Sequence, residues 1–320
     1  MVALAYLKLV RAPILVLIFC IQYATRYWLI KPMLVVNGFQ FVVDDLTFFL
    51  YSLGGVLIAA GGFAINDYFD VKIDRVNKPK EVVVDRLIKR RVAMATHVVL
   101  SAAGVALSGW ACYQAGSWKL VSLFLLAFVA LWFYSTNLKH QPLIGNLVIA
   151  IMAGMVPLLV GLLDIPLLNK AYAEVAMTNS GSVFNAPAFW VIGYSVLFFF
   201  LTLLREIGKD IRDYRGDKQF GSRTIPVVIG IKWTKTVLIF GYLIIAASLL
   251  WSHNRYFSGV GMITATTYLL AALAIINAIL TFKARTKSLF RWSIEVNNAM
   301  TLVAIASMYA VKYAIEQVFA

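Results

Sequence analysis

Nine apolar runs, each near the length that crosses a bilayer, constrain this chain more than any other feature. They fall at about 12–30, 46–66, 92–112, 119–137, 143–163, 187–205, 226–250, 260–282 and 294–316. A membrane-spanning helix needs about 20 mostly apolar residues to cross a hydrocarbon core of roughly 30 Å. Inside that core every backbone polar group must be bonded within the segment or to a closed barrel. Runs of this length predict an all-α multi-pass membrane protein. Composition agrees: 61% of residues are apolar, 14% are charged and the mean hydropathy is +0.81. Soluble domains hold about 45–50% apolar and 25% charged residues, so a soluble or disordered chain is excluded. Cys20 and Cys112 both lie in apolar runs and read as small packing residues, so no disulfide scaffold is expected. The longest connections are 67–91, 164–186 and 206–225, and the whole of 1–320 reads as one domain. No cleavable leader is expected at the N-terminus.

The net charge of +14 comes from 29 Lys plus Arg against 15 Asp plus Glu. The spacing of the runs decides its meaning. With the N-terminus in the cytoplasm, only Arg26, Lys31, Lys119, Lys170, Arg255 and Lys312 fall on the outer side. Basic residues near spans are retained in the cytoplasm, so the excess marks topology and an anionic leaflet rather than nucleic acid. The outer loop 164–186 is polar and has room for a short interfacial helix.

Acidic residues gather at two places, both following even-numbered spans and so on one side of the membrane. In NDYFDVKID, residues 66–74, Asp67, Asp70 and Asp74 recur at i, i+3, i+7. That spacing puts them on one helix face, with Asn66 beside them. In KDIRDYRGD, residues 209–217, Asp210, Asp213 and Asp217 repeat the pattern. Gly216, ahead of the last carboxylate, predicts a loosened end to that second helix. A lone ladder of this kind is often a solvated face. Two with matched spacing on one side read as a site built from two halves.

Six carboxylates at one mouth repel one another unless hard cations bridge them. Mg²⁺ favours oxygen ligands, and it commonly takes one or two carboxylates together with substrate phosphates. Two ions could hold a diphosphate and neutralise its charge as it leaves. The interleaved Lys72, Lys139, Arg205 and Lys209 suit phosphate oxygens. The apolar spans suit a hydrocarbon tail, so the implied substrate is a lipid diphosphate. The rival class is a cation-coupled transporter, since intramembrane carboxylates also mark ion pathways; these carboxylates lie at loop entrances instead of mid-span.

The segment NDYFDVKIDRVNKP (66–79) resembles the Asn-Asp-x-x-Asp-x-x-x-Asp motif of the UbiA superfamily of intramembrane prenyltransferases. DYRGD (213–217) resembles its second motif, FYSTNLKHQPLIGN (133–146) its tyrosine–lysine loop, and RAP (11–13) its opening arginine–proline. The resemblance implies nine helices around a central cavity, Mg²⁺, and transfer of a prenyl group from a polyprenyl diphosphate. It implies that Asn66, Asp67, Asp70 and Asp74 hold one Mg²⁺, and Asp213 and Asp217, with Asp210, the other. Arg11, Lys139 and Lys209 become diphosphate contacts. Tyr134 helps the diphosphate leave or steadies the allylic cation, so Asp70, Asp213, Tyr134 and Lys139 form the catalytic set. The stretch 205–226 resembles the version in digeranylgeranylglyceryl phosphate synthases, and also in homogentisate and chlorophyll prenyltransferases. The expected acceptor is thus a lipid phosphate in ether-lipid synthesis, with an aromatic acceptor of quinone synthesis as the alternative. The expected location is a prokaryotic cytoplasmic membrane with the site facing the cytoplasm. The loop 80–86, KEVVVDR, departs from the Arg-Pro and Pro-Ser-Gly continuation usual in the family.

Overall fold

The structure is a computed structural model that describes residues 2–173, 184–257 and 259–319. Among these residues, nine helices are long and apolar enough to span a membrane. They are α1 (Ala12–Val36), α2 (Asp45–Asn77), α3 (Arg90–Gln114), α4 (Trp118–Thr136), α5 (Ile144–Ala171), α6 (Asn185–Gln219), α7 (Ile225–Phe257), α8 (Gly261–Lys283) and α9 (Ser288–Gln317). Each contains most of one expected apolar run. A short helix, Val2–Leu9, precedes them.

The two helices that carry the carboxylates are longer than the apolar runs that announce them. At about 1.5 Å per residue, a 33-residue α2 and a 35-residue α6 each reach roughly 50 Å, well beyond a hydrocarbon core. Both therefore project several turns past the apolar slab, on the same side. Gly216 does not loosen α6, which stays helical to Gln219. The residue is there for a close approach: Asn77 of α2 lies against it, and the Gly216 N–H donates to Asn77 Oδ1 at 3.0 Å. A Cβ at Gly216 would come within 2.5 Å of that oxygen.

The helices pack as two halves with α1 shared between them. One apolar core joins α2, α3, α4 and α5, with Val191 of α6, to the C-terminal part of α1. The other joins α6, α7, α8 and α9 to the middle of α1. Each half opens with a ladder helix. In the first half, α2 and α3 touch backbone to backbone, because a Cβ on Gly54 would meet the Gly104 carbonyl oxygen at 2.7 Å. Small residues allow this contact where lipid gives helices no hydrophobic reason to associate.

Two sequence expectations change here. Arg26, counted above among the outer-side basic residues, is fully buried. Its guanidinium lies between the rings of Phe41 and Phe48, each 4.2 Å away, and 3.7 Å from Asp164 of α5. It donates to the Val43 carbonyl oxygen. The expected polar loop 164–186 begins later, since α5 continues to Ala171. The interfacial helix expected there falls largely on 174–183, outside the described residues.

Candidate active site

A cavity of about 710 Å³ opens where the two halves meet, at the projecting ends of α2 and α6. Arg11, Asn66, Asp67, Asp70, Asp74, Tyr134, Lys139, Arg205, Lys209, Asp210, Asp213 and Asp217 all line it. Lys72 does not line it. It sits two residues past Asp70, on the opposite face of the helix, and its side chain is exposed. The deeper wall is apolar, with Ile18, Ile21, Phe124, Leu131 and Met152.

Each ladder carboxylate has a fixed partner, and most partners come from another element. Arg11 donates to Asp67 Oδ1 at 2.8 Å. The Arg11 backbone has φ 52°, a left-handed turn uncommon for a residue with a side chain, between the short first helix and α1. That turn, followed by Pro13 in the first turn of α1, aims the guanidinium back at α2 and over the Phe63 ring at 5.0 Å. Burial works against its charge, but the surrounding acidic groups, Asp67 first and Asp74 behind it, together hold the group above its ordinary value. Lys139 arrives from the short turn after α4 and donates to Asp70 Oδ1 at 2.6 Å. Its side chain is only 8% exposed, so this pair is charge-assisted and shielded.

The two ladders face each other, and Lys78 bridges them. Its Nζ lies 3.8 Å from Asp74 and 3.6 Å from Asp213. Arg212 grips Asp213 with two bonds, at 2.9 and 2.7 Å. Asp210 accepts from Asn146 Nδ2 of α5 at 2.8 Å, and Asp217 accepts from Thr224 Oγ1 at 3.2 Å. His140 Nδ1 meets Ser222 Oγ at 2.9 Å, and the Arg223 N–H donates to the His140 carbonyl oxygen. These bonds tie the tyrosine–lysine turn to the loop after α6. Burial and the neighbouring Lys139 push the His140 imidazole below its ordinary value.

Glu206 is a charged side chain of the site that sequence reasoning missed. Glu206 accepts from Lys209 Nζ at 2.6 Å and from an Arg205 nitrogen at 3.1 Å. The signal was present: 206, 210, 213 and 217 are spaced i, i+4, i+7, i+11, so Glu206 extends the second ladder one turn inward. The unusual loop 80–86 packs as a small plug. Val83, Val84 and Ile88 are buried with Ala5 and Leu9 of the first helix, while Glu81 lines the cavity.

The arrangement offers oxygen donors on two opposed helix faces, a cationic shell around them and an apolar chamber beneath. Asn66 Oδ1 is buried without a hydrogen-bond partner. Among the described residues, no three ligating side chains converge as a ready-made metal cluster.

A nine-span helical membrane protein with paired carboxylate helices over an apolar chamber is the class that fold and site define. Residues 10–294 match the UbiA prenyltransferase family, and the chain belongs to that family. It is 32% identical over 206 residues to a protein of Thermococcus gammatolerans named digeranylgeranylglyceryl phosphate synthase; the match covers 64% of each chain, just under two thirds of that relative. A solved structure described as digeranylgeranylglyceryl phosphate synthase in membranes is 22% identical, with TM-score 0.59, covering 98% of this chain and 99% of that one. A UbiA homologue of Archaeoglobus fulgidus, solved with DMAPP and Mg²⁺, is 17% identical with TM-score 0.55, covering 96% of this chain and 99% of that one. These likenesses give the two solved structures the same fold as this chain.

Proposed function

We propose that the protein transfers a geranylgeranyl group from its diphosphate to geranylgeranylglyceryl phosphate, forming an ether lipid, with Mg²⁺ as its metal. The observation that carries this is the pair of carboxylate ladders facing each other at the mouth of one cavity with an apolar floor. The name of the Thermococcus relative supports the acceptor, and the ligands of the Archaeoglobus homologue support donor and metal.

The residues present fit Mg²⁺. All the donors are oxygens, and the buried Asn66 Oδ1 lacks a partner. An ion shared with substrate phosphates needs only one or two carboxylates from the protein. Asn66, Asp67, Asp70 and Asp74 would hold one ion, and Asp210, Asp213 and Asp217 the other. When bound, the metal neutralises the charge gathering on the departing diphosphate.

The chain's own groups do the rest. Arg11 and Lys139 exchange Asp67 and Asp70 for phosphate oxygens and orient the leaving group. Tyr134, on the cavity wall, serves the departing oxygen or the allylic cation. The apolar wall holds the prenyl tail and keeps water from the cation. The donor C1–O bond breaks, and its electron pair leaves on the diphosphate. The acceptor hydroxyl oxygen bonds to that carbon and gives its proton to a diphosphate oxygen. We take residues 1–320 as one domain in a prokaryotic cytoplasmic membrane, with the N-terminus and the ladder ends inside; the distribution of Lys and Arg supports this orientation.

The test is Asp70→Asn and Asp213→Asn, made separately. Each should abolish transfer in a protein that still unfolds in one cooperative step in detergent, at a melting temperature below the parent's because Lys139 or Arg212 loses its charged partner. Mg²⁺-dependent transfer retained in both variants would refute the assignment.

A further inference from the structure

The cations of the cavity sort into two groups by what holds them. Arg11, Lys139, Lys78 and Arg212 each contact a carboxylate of the Asp ladders. For Arg205 and Lys209, the ion pairs go to Glu206 instead, at 3.1 and 2.6 Å. One carboxylate between two cations leaves this trio with a formal charge of +1. It stands in a cavity whose deeper wall is apolar. Arg205 Nε is buried there without a hydrogen-bond partner.

The trio also extends inward from the second ladder, starting at its inner end. On α6, Lys209 directly precedes Asp210, the innermost ladder Asp, and Arg205 lies five residues before it, roughly 7 Å further in along the helix. A net positive charge against apolar walls is unfavourable unless an anion completes it. A guanidinium with a free N–H beside an ammonium matches a phosphate group, which accepts several charge-assisted bonds at once.

We propose that Arg205 and Lys209, held in place by Glu206, form a second anion seat that takes the phosphate monoester of the acceptor, not the diphosphate of the donor. This rests on the reading that the acceptor is a glycerol phosphate lipid. In such an acceptor the phosphate is carried by the carbon next to the one bearing the free hydroxyl. A phosphate seated about one turn inward of Asp210 places that hydroxyl beside the donor's C1, while the donor's diphosphate stays at ladder level. The sequence pattern assigned both cations to the diphosphate; their pairing with Glu206, and not with a ladder Asp, is the ground for assigning them apart from it.

Binding distinguishes the two assignments without turnover. The purified full-length protein in nanodiscs is titrated with geranylgeranylglyceryl phosphate, with its dephosphorylated alcohol, and with geranylgeranyl diphosphate plus Mg²⁺. Arg205→Gln and Lys209→Gln should each weaken the phosphorylated acceptor about tenfold or more, the size expected for a lost charge-assisted bond. Affinities for the alcohol and for the donor should stay within about twofold. Arg205→Lys and Lys209→Arg keep the charge and guard against misfolding, and they should give smaller losses confined to the same ligand. In turnover the same variants should raise KM for the acceptor and leave KM for the donor unchanged. Loss of donor affinity, or an unchanged preference for the phosphorylated acceptor over the alcohol, overturns the second seat. A protein that shows this phosphate preference yet transfers nothing would retain the seat and overturn the proposed reaction.

Discussion

Gly216→Ala tests the contact that sets the two ladders against each other. The new Cβ would stand 2.5 Å from Asn77 Oδ1, 2.6 Å from its Cγ and 2.6 Å from its Nδ2. Three atoms of one planar amide lie inside contact distance, so rotating the amide cannot clear the clash. The Asn77 side chain must move, and its bond from the Gly216 N–H goes with it. Overpacking of this kind costs about 1–3 kcal/mol, and one hydrogen bond about 1 kcal/mol. Replacing a helical glycine returns about 1 kcal/mol. The net loss should be about 1–3 kcal/mol, read as a lower unfolding midpoint in detergent. Activity should fall more steeply, by about a hundredfold, because a shift near 1 Å between opposed catalytic groups has that effect. Asn77→Ala in the same chain removes the obstructing amide. The double variant should recover most of the lost stability, with a favourable coupling of about 1 kcal/mol or more. A single variant with parental stability and activity would refute the reasoning, as would a double variant whose loss equals the sum of the two singles.

Three further outcomes follow from the same geometry. Arg26→Met or Asp164→Leu alone leaves a buried charge without its partner and should destabilise by about 3–5 kcal/mol, whereas the double variant should lie near the parent, as thermal unfolding would show. The His140 imidazole titrates below its ordinary value in the folded protein, so the unfolded chain binds its proton first as pH falls. Its contribution to stability is therefore complete above about pH 6.5 and declines below it; melting temperatures from pH 7.5 to 5 should fall less steeply in His140→Gln. Lys72→Ala should leave transfer within about twofold of the parent, because the side chain is exposed and away from the cavity.

The spans were legible in the sequence because a bilayer fixes how long an apolar run must be. The ladders were legible because i, i+3, i+7 is the period of a helix face. Both readings depend on local spacing alone. What escaped depended on contacts between distant elements. Gly216 reads as a helix breaker until Asn77, 139 residues earlier, is seen pressed against it. Arg26 reads as one more outer-side cation, and its burial shows only once Phe41, Phe48 and Asp164 close around it. Lys72 stands among ladder residues in sequence, yet its position on the helix turns it away from them. Glu206 lies at the boundary of an expected span, where a carboxylate ending an apolar run looks the same whether it faces water or continues the ladder. Arg11 stands out beside Pro13 in the sequence, but its reach to Asp67 depends on a left-handed backbone turn that no spacing announces.

The most direct test of the central claim is transfer of labelled geranylgeranyl from its diphosphate by the purified protein, with geranylgeranylglyceryl phosphate and 4-hydroxybenzoate offered side by side. The account predicts a labelled ether product on the glycerol phosphate, formed with Mg²⁺ and lost when EDTA removes it. Product on the aromatic acid alone, or transfer that persists in EDTA, would contradict it.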